Sequence, residues 1–233
     1  MEDDNEGAPR TGETDGTEEK KEAPRYREVS EEKLKQILEE HRKWLESKGK
    51  EGKQADLRKA NLEKANLYGA KLQGAMLIAA NLQDATLIEA NLQGAVLYRA
   101  ILDGASLRGA NLRDSNLWDS NLCGVELQSA KLQGAILRGA NFKDAHLEYA
   151  NFEGAKLESA NFEGANVTNA SFRHADLRSA KMKDSINLQA IQLGGADVSN
   201  AQLPEEIQKF QAVGIVEETS KNARTIFLSI LAA

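Results

Sequence analysis

From Ala55 to Leu203 the apolar positions recur every five residues, as in ADLRK ANLEK ANLYG AKLQG AMLIA ANLQD. With the third residue of each unit taken as its centre, the 26 centres from Leu57 to Met182 are all Leu, Phe, Val or Met. The residue two before the centre is Ala in 23 of the 26, the exceptions being Ser115, Ser120 and Val125. A five-residue step drifts around a 3.6-residue helix, and frequent Gly and Asn weaken one. A short strand fits, because residues two apart point to the same side, so the Ala and the centre both face inward. The last two residues must then turn the chain. Gly sits at the end of many units (Gly69, Gly74, Gly94, Gly104, Gly109) and Asp, Asn, Lys or Ser fill most others. Gly and Asn tolerate the positive φ that tight turns require. A three-residue strand and a two-residue turn, repeated in one sense, predict a solenoid whose coils stack about 4.7–4.9 Å apart.

The A-(N/D)-L-x-x motif, held over about two thirds of the chain, resembles the pentapeptide-repeat family. That resemblance implies an all-β fold: a right-handed quadrilateral parallel β-helix, or β-solenoid, with four units to a coil. The right hand agrees with the general preference of parallel crossovers. About 30 units then make about seven and a half coils and a rod about 36 Å long. Residues 20 apart should stack, which puts Phe142 over Phe162 on one wall and Phe152 over Phe172 on the opposite one. Such a bore is filled by side chains and holds no internal site. After Met182 the centres continue at Leu188, Leu193, Val198 and Leu203. One extra residue is therefore expected as a corner bulge around Ser185–Asn187.

The division expected is a disordered acidic tail at 1–27, a capping helix within 28–50, the solenoid at 55–203 and a helical segment at 204–233. Ser30 is a good N-cap, with Glu31 and Glu32 at the positive end of the helix dipole. Leu34, Ile37, Leu38, His41, Trp44 and Leu45 share one face, and Gly49 is a stop. This helix is expected to cover the open end of the first coil, with His41 packed or at the rim. Pro204 ends the repeats. Glu205 to Val213 should form a short helix with Ile207 and Phe210 against the last coil. A second helix is expected from about Val216, ending in the apolar run 226–233. Eight residues are too few to span a membrane, which takes about 20. The run reads as the start of a membrane anchor continuing past Ala233, as a packed cap, or as a dimerisation helix.

Charge narrows the function. The net charge is −6, yet residues 51–203 carry 17 acids and 16 bases. A basic stripe for nucleic acid is absent, so nucleic-acid binding is not expected. Cys123 is the only cysteine, which gives no disulfide framework and suits a reducing, cytoplasmic setting, with membrane association if an anchor follows Ala233. His41, His146 and His174 form no ligand cluster, no phosphate loop occurs, and Glu148, Glu153, Glu158 and Glu163 fall on different walls. No catalytic, cofactor or metal site is expected, and the chain is read as a non-enzyme. Sorted by a 20-residue coil, one wall carries Met76, Ile78, Val96, Tyr98, Trp118 and Ile136 on its outside, rimmed by Arg99, Asp119 and Arg138. Aromatics with an arginine rim are common anchors. The expectation is a bacterial-type scaffold that binds an unknown protein, or a second copy of itself, through this face. The alternatives implied by the resemblance are a DNA mimic binding a type II topoisomerase (gyrase) and the soluble part of a membrane-tethered adaptor.

Overall fold

The computed structural model describes residues 26–211. The tail at 1–25 and residues 212–233, with the helix expected from about Val216 and its apolar run 226–233, lie outside the described residues, as does the side chain of Phe210. Each five-residue unit gives one residue to a parallel bridge, and its partner is the residue 20 positions on. One column runs Asp56, Met76, Val96, Asn116, Ile136, Lys156, Asp176. Three more begin at Asn61, Asn66 and Lys71. Four units therefore close one coil, and the columns define a first to a fourth wall in that order.

Backbone hydrogen bonds explain the motif position by position. Leu57 N–H donates to Met76 O (2.8 Å), Met76 N–H to Ala55 O (2.9 Å) and Lys59 N–H to Ile78 O (2.9 Å). Ala60 N–H folds back onto Leu57 O (3.1 Å) and closes the turn. One donor per unit is left over, on the residue after the centre. Arg58 N–H gives it to Asp56 Oδ1 (3.2 Å), Gln93 N–H to Asn91 Oδ1 (3.1 Å) and Trp118 N–H to Asn116 Oδ1 (3.0 Å). The Asn or Asp before the centre thus satisfies the donor that the stacked coils cannot.

The last residue of the unit has positive φ, as in Gly74 (69°) and Gly94 (66°), but also in Ala79 (53°) and Arg99 (55°). At several corners a missing Cβ is used by the coil before. An added Cβ on Gly104 would lie 2.6 Å from Asp84 Oδ1, and one on Gly134 would lie 2.7 Å from Asp114 Oδ1. Gly69, Gly94, Gly124 and Gly154 face open space instead.

The bore is filled by side chains. Nearly every Ala and centre from Ala55 to Met182 is buried. The four phenylalanines form one cluster. Phe142 and Phe162 stack at 5.0 Å and 7°, and Phe152 and Phe172 at 5.0 Å and 8°. Across the bore the rings meet edge to face, at 5.8 Å (Phe142–Phe152), 6.3 Å (Phe152–Phe162) and 5.5 Å (Phe162–Phe172). Stacking along the walls and edges across them are both favourable ring geometries.

The extra residue enters directly after Ile186, beginning at Asn187, whose φ of 62° lies outside the five-residue series of positive-φ corners. Ser185 N–H still closes its turn on Met182 O (3.0 Å), and Ile186 still pairs with Asn166. The step changes beyond that point: Phe172 N–H meets Gln192 O, and Asp176 pairs with Asp197, 21 positions on. A 3-10 turn at Ala190–Leu193 absorbs the difference. The Gln192 side chain makes this tolerable. Its Nε2 donates to Val167 O (2.6 Å) and Ala170 O (2.9 Å), tying the irregular turn to the coil before.

Helix α1 (Glu31–Glu46) covers the first coil. Ser30 Oγ accepts from Lys33 N–H (3.2 Å), and Leu34 and His41 are buried beneath the helix. Gly52 lets the return segment lie on α1, since an added Cβ would meet Lys43 Cβ and Trp44 N at 2.8 Å. Arg27, grouped with the tail on sequence grounds, instead joins β1 (Arg27–Glu28), which pairs in parallel with β2 (Ala60–Asn61). Two residues thus occupy part of the first coil's open edge. At the other end α2 (Glu205–Gln211) buries Ile207 against the core.

Candidate protein-docking face

All six residues singled out from the sequence lie on the first wall. Met76, Val96 and Ile136 belong to its bridge column, with Asn116 between them. Ile78, Tyr98 and Trp118 follow the centres Leu77, Leu97 and Leu117, so they form a second outward column beside the first. Five of the six are half-buried by their neighbours, and Trp118 is 46% exposed. The Tyr98 and Trp118 rings touch at 5.8 Å and 59°. The Arg99 guanidinium lies 5.0 Å from the Tyr98 ring centre and 3.8 Å from Asp119 Oδ2. The rings are therefore held in place, and Trp118 stays open to solvent.

Charge closes the patch at both ends. Below it Arg58 grips Asp56 through Nε (2.9 Å) and a terminal nitrogen (2.6 Å), which holds the Asp56 carboxyl down at about 2. Above it Arg138 meets Glu158 at 3.4 Å, and Arg178 meets Glu158 at 3.4 Å and Asp176 at 2.7 Å. The sequence reading found the Arg99, Asp119 and Arg138 rim but not this ladder, whose partners are 2 or 20 residues apart. Other large exposed apolar side chains stand apart. Tyr68 and Tyr149 are on the third wall, and Ile186 begins the irregular segment.

Other polar features offer less. Cys123 is half-buried, and burial followed by the nearby Asp103 pushes its thiol up. Among the described residues no three His, Cys, Asp or Glu gather to hold a metal ion. An open cleft of about 610 Å³ lies between α1 and the first coil, lined by Arg27, Lys33, Glu40, Lys53, Asp56 and Arg58. Among the described residues no helix is long and apolar enough to cross a membrane.

The family model for pentapeptide repeats matches eight copies in overlapping stretches from residue 53 to residue 200. The chain belongs to the pentapeptide repeat family. Among solved family structures, HetL, a pentapeptide repeat protein involved in heterocyst differentiation regulation in the cyanobacterium Nostoc sp. strain PCC 7120, is 32% identical. The match covers 64% of this chain and 77% of HetL, with a TM-score of 0.53. Rfr23 from the cyanobacterium Cyanothece 51142 is 29% identical over 50% of this chain and 66% of its own, with a TM-score of 0.29. A pentapeptide repeat protein of the Arabidopsis thaliana thylakoid lumen is 27% identical over 55% and 81%, with a TM-score of 0.29. No curated protein sequence matches the chain.

Proposed function

We propose that this protein is a non-catalytic scaffold, a right-handed rod of about seven coils that docks another protein on its first wall. One observation carries the reading: Ile78, Tyr98 and Trp118 stack in a column beside Met76, Val96 and Ile136 on a single flat face. Contiguous apolar surface with anchored aromatics and an Arg rim is what protein partners bury. The lone half-buried thiol is compatible with a reducing cytoplasm. Near-balance of 17 acids and 16 bases over residues 51–203 speaks against a surface that imitates a nucleic-acid duplex.

The test is the double substitution Tyr98→Ser and Trp118→Ser. Both side chains are outside the bore, so the thermal transition should stay within a few degrees of the parent's. A partner captured from lysate by the parent should then be purified and titrated against both proteins. The double variant is expected to bind at least about tenfold more weakly. Equal binding by both proteins removes the first wall as the docking face.

A further inference from the structure

We propose that the first wall is self-complementary, and that its occupant is a second copy of this chain packed face to face with the two rods antiparallel. This rests on the docking reading above and names the partner. Consider a two-fold axis lying in the wall, along the strand direction, midway between the coils of Tyr98 and Trp118. It sets each coil against the one at equal distance on the other side of the centre. Tyr98 then faces the second copy's Trp118, and Met76 faces its Ile136. The charges reverse sign about the same centre. Arg99 meets Asp119, Arg58 meets Glu158, and Asp56 meets Lys156, each pair occurring twice. Two pairs are unlike: Val96 opposite Asn116, whose Oδ1 already accepts from Trp118 N–H (3.0 Å), and Ile78 opposite Arg138. The Arg138 headgroup is drawn to Glu158 at 3.4 Å, which leaves its stem for the isoleucine.

The orientation also follows from the corners. Parallel rods would put each corner residue against the corner at the other side of the wall, five positions earlier in sequence. Asp119 would meet Asp114, and Arg99 would meet Gly94. Antiparallel rods replace that repulsion with two Arg99–Asp119 pairs. Within one chain this pair is long, 3.8 Å, with side chains 64% and 40% exposed, so both groups remain accessible to a partner.

Size sets the strength. The six matched coils from Asp56 to Lys156 span about 24 Å, and a three-residue strand is about 10 Å wide. The planar footprint is roughly 240 Å² per copy, well under the roughly 800 Å² per partner of a stable complex. The dimer is therefore weak and reversible.

Sedimentation of the full chain across a concentration series reads this directly. The expected result is a monomer–dimer equilibrium that Trp118→Ser weakens about tenfold or more. Asp119→Arg should weaken it as well, and adding Arg99→Asp to Asp119→Arg should restore it, with unchanged circular dichroism throughout. In a Cys123→Ser background, a short bis-maleimide should join Lys59→Cys on one copy to Ser159→Cys on another. A monomer at every concentration overturns the proposal, as does a dimer indifferent to Trp118→Ser or a Lys59→Cys chain that cross-links to itself as readily. If the chain is monomeric yet a purified partner still needs Tyr98 and Trp118, self-pairing fails and the docking reading survives.

Discussion

Replacing the four bore phenylalanines one at a time by leucine should give a ranked loss of stability. Leu occupies the same position in most units, so the substitution keeps the inward pattern and removes mainly the ring. Phe152 and Phe162 each contact three other rings, whereas Phe142 and Phe172 each contact two. Favourable aromatic pairs contribute about 0.5–1.5 kcal/mol each beyond area burial. Loss of three pairs therefore costs about 1.5–4.5 kcal/mol, and loss of two about 1–3 kcal/mol, before any cavity term. The cavity term adds to all four alike, because all four side chains are fully buried. Guanidinium unfolding followed by circular dichroism measures the series. The midpoint is the safer reading, since a solenoid can unfold from one end. The inner pair should unfold at lower denaturant than the outer pair. If Phe142→Leu and Phe172→Leu are the more damaging, or all four midpoints match the parent, ring contacts do not organise this part of the bore.

Two further outcomes follow from the cap and the corners. His41 is buried, stacks on Trp44 at 5.5 Å and 13°, and accepts from Ala55 N–H at Nδ1 (3.1 Å). Burial holds its pKa below the usual 6.5, outweighing the Gln73 backbone, which favours the proton. A base with a depressed folded-state pKa makes its contribution when neutral, so docking of α1 should be intact above about 6.5 and weaken as pH falls below that. Hydrogen exchange of the α1 amides at pH 8 and pH 5 measures this, and His41→Gln should flatten the difference. At the corners, Gly94→Ala should cost about 1 kcal/mol for the left-handed φ alone, while Gly104→Ala should cost more, because its Cβ would meet Asp84 Oδ1 at 2.6 Å. Thermal melts of the two variants compare them, and equal losses would mean that the Asp84 side chain moves aside freely.

The Ala and Leu frame made the interior legible from sequence, because each position's inward direction follows from a strand of three and a turn of two. The size of the coil was not in the period; it came through the family resemblance, and the Phe142–Phe162 and Phe152–Phe172 stacks depend on it. The Asp84–Gly104 contact is equally a 20-residue relation, invisible along the chain. Arg27 went unnoticed because two residues show no alternation to read. The extra residue was seen as a frame shift, but the turn that follows it is held by Gln192, whose side chain reaches two carbonyls on the coil before. His41 was placed in the α1 stripe, but its depth depends on the return of the chain through Gly52 to Ala55.

Because four short units complete each coil, the molecule is in effect a ruler with two kinds of error. Loss of a whole coil after Tyr98 would shorten the rod and leave every downstream residue on its own side. Loss of a single unit there would keep the interior equally well filled, yet turn everything after it by a quarter. Trp118 would then leave the side that carries Tyr98. Folding would tolerate such an event and the exterior pattern would not, so genetic changes in length can rewrite this surface without touching the bore.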